Sequence, residues 1–128
     1  MRLLLDTCTF IWLAAEPTPL SQAASEALDS ENNDLFLSHA SVWEIHVKCF
    51  SGKLTLPLKP RIWISRQLTA RGVTDWPIDL ETIHQTSEFP LHHKDPFDRL
   101  LLAQAVVHQF HIVTPDVAFL PYKARLIW

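Results

Sequence analysis

Glycine is nearly missing from this chain, with two in 128 residues. That scarcity excludes the loops that cradle phosphate on glycine backbone. Neither a P-loop nor a GxGxxG run occurs, and a flavin-binding loop would lack the backbone freedom it needs. Cysteine is equally scarce. Cys8 and Cys49 form no CxxC pair and no disulfide framework, which makes a reducing cytoplasm the simplest setting. Long apolar runs are missing too. The longest, Leu100 to Val107, is broken by Gln104 and falls short of the ~20 residues that span a bilayer. No association with a membrane is expected. The opening MRLLLD meets a charge at Asp6 too early to serve as a signal peptide. Net positive charge is absent, since 11 Lys and Arg face 14 Asp and Glu. A generic basic nucleic-acid coat is thereby excluded. A nuclease is not, because a carboxylate cluster contributes several of those negatives and bound cations offset them locally. The seven histidines show no HExxH or other ligand spacing, and adjacent His92 and His93 would point apart, so a histidine-based metal site is not expected.

What the chain does have is a core. It is 48% hydrophobic, with five Trp and seven Phe, enough for one domain over residues 1–128. Short apolar runs at Arg2–Leu5, Leu35–Leu37, Trp76–Ile78, His111–Thr114 and Arg125–Trp128 read as strands. Helical patterns lie between them. One covers Thr7–Ala15, a second runs from an N-cap at Ser21 through Leu28, and a third runs from an N-cap at Ser41 to Cys49 or Phe50. Arg61–Arg71 is weakly helical and stops at Gly72. Asp79 caps a helix to about Glu88, and Pro96–Phe110 carries the clearest helical pattern. Leu54–Leu58 reads as extended and His92–Asp95 as a loop. Strands alternating with helices imply a parallel sheet covered on both faces. Sites in such sheets form beyond the carboxyl ends of the strands.

Four acidic residues end or follow these apolar segments: Asp6, Glu44, Asp98 and Asp116. Each has a structural explanation of its own. Asp6 serves equally well as N-cap or as ligand, and Thr7 could take over the cap. Glu44 has the spacing of a capping box with Ser41 and of an i,i+4 pair with Lys48. Its helix is apolar nearly all round, however, and a poorly solvated carboxylate needs a partner. In Asp95-Pro96-Phe97-Asp98, Asp95 reads as the N-cap, with Pro at the first helical position. Asp98 then sits in the first turn, better placed to project into a cleft. Asp116 reads as a turn residue, and Thr114 offers a hydroxyl that could hold water at a site. Carboxylates brought to one sheet edge repel each other, and a hard cation relieves them. Such a site suggests metal-dependent phosphodiester chemistry. Arg99, Lys94 and Lys48 adjoin these residues and serve equally as phosphate contacts or local ion pairs. Trp12 and Trp43 read as core residues rather than base-stacking ones. Cys8 reads as a small packing residue.

From end to end the chain resembles the PIN-domain family, and within it the VapC-type toxins of bacterial toxin–antitoxin pairs. The segments that carry the resemblance are LLLDTCTFIWL, SHASVWEIHVKCFSGKLTLP, LHHKDPFDRLLLAQA and HIVTPDVAFLPYKARLIW. The resemblance implies a three-layer α/β/α sandwich around a mostly parallel sheet. It also implies a ribonuclease dependent on Mg²⁺ or Mn²⁺, with Asp6, Glu44, Asp98 and Asp116 as catalytic metal ligands. Thr7, Thr114, Asp95 and Arg99 would support those ligands or bind substrate. A cognate VapB-like antitoxin, an RNA substrate and a homodimer are implied as partners. Cys8, where relatives carry His, and Pro115 depart from the pattern without removing a carboxylate. The rival reading is a catalytically silent PIN fold that only binds RNA or protein. Other phosphate-handling α/β folds fit less well. A haloacid-dehalogenase phosphatase wants an Asp where Cys8 stands, and a receiver domain wants an acidic pair that is missing.

Overall fold

The computed structural model describes residues 1–15, 17–90, 95–122 and 124–128. The expected loop at His92–Asp95 and the phosphate contact considered for Lys94 lie almost wholly outside those residues. Five strands form one all-parallel sheet: β1 Arg2–Leu5, β2 Asp34–Ser38, β3 Val73–Trp76, β4 His111–Val113 and β5 Leu126–Ile127, in the order β3-β2-β1-β4-β5. The helices are α1 Thr7–Trp12, α2 Gln22–Asp29, α3 His39–Phe50, α4 Pro60–Arg71, α5 Leu80–Thr86 and α6 Pro96–His108, with a 3-10 helix at Val117–Tyr122.

Side chains along β1 alternate between the two faces of the sheet, and both faces are covered. Leu3 and Leu5 join Leu35, Leu37, Phe10, Ile45, Trp63 and Ile64 on the side of α1 to α4. Leu4 joins Leu101, Leu102, Phe110, Ile112, Phe119 and Tyr122 on the side of α6. The three-layer α/β/α expectation is therefore met. From β1 the chain steps outward to β2 and β3, then crosses to β4 on the other side of β1. The strand order reverses between β1 and β4, and the crevice outside their carboxyl ends is where such sheets bind ligands. Leu5 aligns with both Leu37 and Val113, so Asp6 and Thr114 emerge side by side at that edge.

Several boundaries differ from the sequence reading. Ser38, not Ser41, caps α3, its hydroxyl accepting from the Ala40 amide at 3.0 Å. The Ser41–Glu44 capping box is therefore absent. β3 is Val73–Trp76 rather than Trp76–Ile78, because Pro77 has no N–H to give the ladder. It starts directly after Gly72, whose φ of 63° closes α4 in the left-handed region. α1 ends at Trp12, short of Ala15, and α6 ends at His108, with Gln109 in the left-handed region.

On the α6 face of the sheet, the Arg2 guanidinium lies 4.4 Å from the centre of the Phe110 ring, 5.1 Å from Trp76 and 5.6 Å from Phe36. It also donates to the His108 carbonyl at 2.8 Å. Arg2→Leu is expected to cost about 2 kcal/mol, the upper range for a desolvated cation–π contact. Urea unfolding monitored by circular dichroism measures it, and an unchanged midpoint would show the ring stack needs no cation.

Candidate active site

Asp6 ends β1 and begins α1. Its Oδ1 accepts the Thr9 amide at 2.8 Å, which makes it the N-cap, and the Cys8 thiol donates to the same oxygen at 3.2 Å. Its Oδ2 accepts the Thr114 hydroxyl. One carboxylate thus joins the two central strand ends, and it is buried. The cap role open in the sequence is the one Oδ1 fills, while Oδ2 faces the Thr114 hydroxyl. Thr7 is not the cap. Its hydroxyl donates to Glu44 Oε1 at 2.5 Å, tying α1 to α3.

Glu44 is 5% exposed, in the second turn of α3, where its helix packs on the sheet. Its other oxygen meets Lys48 Nζ at 2.7 Å, the i,i+4 pair that the spacing allowed. That hydrogen bond raises the Lys48 pKa above its ordinary value against the opposing effect of burial, and the charges of Glu44, Asp95 and Asp98 add to the rise. Lys48 therefore stays cationic inside an acidic neighbourhood.

Asp95 caps α6, its Oδ1 accepting the amides of Phe97 at 2.9 Å and Asp98 at 3.4 Å. Asp98 follows in the first turn, where the helix dipole favours a negative charge. Beyond β4 the Asp116 amide donates to Thr114 Oγ1 at 3.0 Å, and its Oδ1 accepts the Ala118 amide at 2.9 Å, which starts the 3-10 helix. Thr114 thus receives from Asp116 and donates to Asp6.

These segments surround one cavity of about 180 Å³, lined by Asp6, Thr7, Cys8, Glu44, Lys48, Asp95, Asp98 and Asp116. All four expected carboxylates line it, together with Asp95. Among the described residues no three acidic, histidine or cysteine side chains stand close enough to clasp a bare ion between them. The five carboxylates of the lining nonetheless offer hard oxygens. Liquid water takes about 30 Å³ per molecule, so a cation with several of its waters fits the space, the form Mg²⁺ prefers.

Arg99 stands elsewhere. Its guanidinium donates to the carbonyls of Thr86, Phe89 and Pro90 and to Tyr122 Oη, at the end of α5. Cys8 lines the cavity, but burial and the neighbouring Asp6 charge push its thiol up to about 12. It remains a protonated donor at neutral pH rather than a reactive thiolate. Trp43, read from sequence as a core residue, is 61% exposed. The signal available for it was its place one residue before Glu44 on a helix that has to turn that acid inward.

A model of the PIN domain matches residues 3–123. Ribonuclease VapC22 of Mycobacterium tuberculosis is 29% identical over 116 residues, covering 88% of this chain and 85% of that protein. Several solved structures share the fold. VapBC2 from Rickettsia felis, bound to a DNA fragment from the promoter, superposes with a TM-score of 0.74 at 14% identity, covering 98% of this chain and 97% of that one. VapBC-1 from nontypeable Haemophilus influenzae gives 0.70 at 16%, covering 98% and 96%. A family match over nearly the whole length, on a parallel sheet whose central strand ends carry the acidic cavity, places this chain in the PIN-domain family.

Proposed function

We propose that this protein is a metal-dependent endoribonuclease, the toxin of a VapBC-type toxin–antitoxin pair. The observation that carries the reading is the single acidic cavity at the β1/β4 crevice, built from carboxylates on four separate segments. The similarity to Ribonuclease VapC22 supports RNA as the substrate. Asp6, Glu44, Asp98 and Asp116 would hold Mg²⁺ or Mn²⁺. When bound, such an ion neutralises charge on the phosphoryl group and acidifies a water for in-line attack. The chain's own residues hold the site in register. The Thr114 hydroxyl fixes the Asp6 carboxylate, and the Thr7 hydroxyl fixes that of Glu44. Asp95 sets the first turn of α6 and with it Asp98. Lys48 balances the cluster with a charge of its own.

The same reading gives one domain over residues 1–128, a cytoplasmic setting, a VapB-like antitoxin and a homodimer. Among the described residues no helix is long and apolar enough to cross a membrane. The test is incubation of the purified protein with total cellular RNA. Cleavage is expected with Mg²⁺ or Mn²⁺, to cease on chelation and to return when the ion is restored. Cleavage that persists in excess chelator would refute the metal requirement. A folded protein that binds RNA without cutting it in Mn²⁺ would establish the silent binding module instead.

A further inference from the structure

We propose that Trp43 and Phe97 form an aromatic platform beside the acidic cavity that seats one unstacked base next to the phosphate to be cut. The proposal deepens the ribonuclease reading and rests on it. Trp43 lies on α3 one residue before Glu44, and Phe97 lies on α6 one residue before Asp98. Their rings meet edge to face, 5.1 Å between centres at 73°. The pair therefore bridges the two helices that carry half of the acidic cluster. Trp43 nevertheless leaves 61% of its surface in water. A tryptophan gains most from burial, and one left this open beside a cluster of polar groups has a free face for a planar ligand.

The surroundings favour a nucleotide. From Trp43 a groove runs between α3 and α4, with Val42, Ile64 and Leu68 on its floor and His46 and Arg61 on its walls. No hydrogen bond or ion pair engages the Arg61 guanidinium among the described residues, while Asp75, the acid of that groove, is held by His39 at 2.6 Å. The Trp43 ring with the Arg61 cation along the groove, next to a carboxylate cavity, matches base, phosphate and hydrated metal in turn. A protein segment would use the apolar floor but has no need of the Trp43–Phe97 step toward the acids.

The test measures binding of a short single-stranded oligoribonucleotide to the full chain carrying Asp6→Asn, so that the RNA survives. Adding Trp43→Ala is expected to weaken binding roughly tenfold, the scale of one base–aromatic stack. Trp43→Phe should stay within about threefold, since a ring remains. An abasic position that weakens binding when Trp43 is present should cost nothing further in the Trp43→Ala protein, a coupling that a purely structural Trp43 would not produce. Equal RNA binding by the Trp43→Ala protein overturns the platform. Loss of binding to a protein partner alone, with RNA binding intact, overturns it as well and assigns the groove to that partner. In both cases Asp6-dependent cleavage by the otherwise native chain would show the ribonuclease reading still standing. If the native chain neither binds nor cuts RNA, the ribonuclease reading falls and the platform with it.

Discussion

Asp6→Asn is expected to lower RNA cleavage by at least about 100-fold, the scale of removing one preorganised charge-stabilising group from an active site, while the protein stays folded. The substitution separates two functions of one side chain. Asparagine caps helices about as well as aspartate, so its carbonyl oxygen can keep the Thr9 amide now held by Oδ1 at 2.8 Å. The Thr114 hydroxyl can rotate to accept from the new amide instead of donating. Only the charge is lost. Since Asp6 shares its cavity with Glu44, Asp95, Asp98 and Asp116, losing it relieves repulsion. The variant should melt no lower than the native chain in chelator. It should also gain less from Mn²⁺, because stabilisation by a ligand follows its affinity for the folded state. Asp6→Ala removes the cap as well and should cost about 1 kcal/mol more. Thermal melts with and without Mn²⁺, beside initial cleavage rates, distinguish these cases. Full activity in Asp6→Asn would remove the acidic cavity from the mechanism.

What the sequence disclosed follows from how local each feature is. The caps at Asp95, Asp79 and Ser21 were legible because a cap depends on a few neighbouring amides, and all three bonds form. The cap of α3 was misread because SHAS offers two serines. Pairing of Ser38 with Trp76 at the end of the sheet decides between them, and that is a long-range fact. The same limit hid Trp43. Hydrophobic periodicity assumes that a helix buries its apolar face. α3 instead buries Ala40, Ser41, Glu44 and Ile45 and leaves Trp43, Val47 and Phe50 exposed. A helix that must bring a carboxylate to a cavity turns its polar residues inward, so the sequence rule fails at the site itself. Asp6, Asp98 and Asp116 could be picked out because each follows a strand or opens a helix, and Glu44 because its helix is apolar nearly all round. Their convergence depends on the strand order reversing at β1 and β4, which no local pattern encodes.

Arg99, expected from the sequence to support the ligands or bind substrate, yields the largest expected effect on stability. Beside Asp98 it resembles a phosphate contact, yet its guanidinium is drawn the other way. It donates to the Pro90 carbonyl at 3.2 Å, the Phe89 carbonyl at 3.3 Å and the Thr86 carbonyl. The last turn of a helix leaves carbonyls without partners, and here one side chain gathers those at and beyond the end of α5. Arg99 also donates to Tyr122 Oη at 3.4 Å, while that hydroxyl donates to Pro90 at 3.0 Å. The clamp therefore joins α5, α6 and the 3-10 helix over the core on the α6 side of the sheet. Truncation would leave several partly buried acceptors unmet, and Arg99→Ala is expected to cost about 2–4 kcal/mol. Arg99→Lys should recover less than half of that loss, because an ammonium lacks the planar fork that reaches several carbonyls together. Tyr122→Phe removes only one hydroxyl and should cost about 1 kcal/mol. Urea unfolding of the three variants gives the ranking. If Arg99→Ala unfolds at the native midpoint while RNA binding drops, the guanidinium serves the substrate and not the fold.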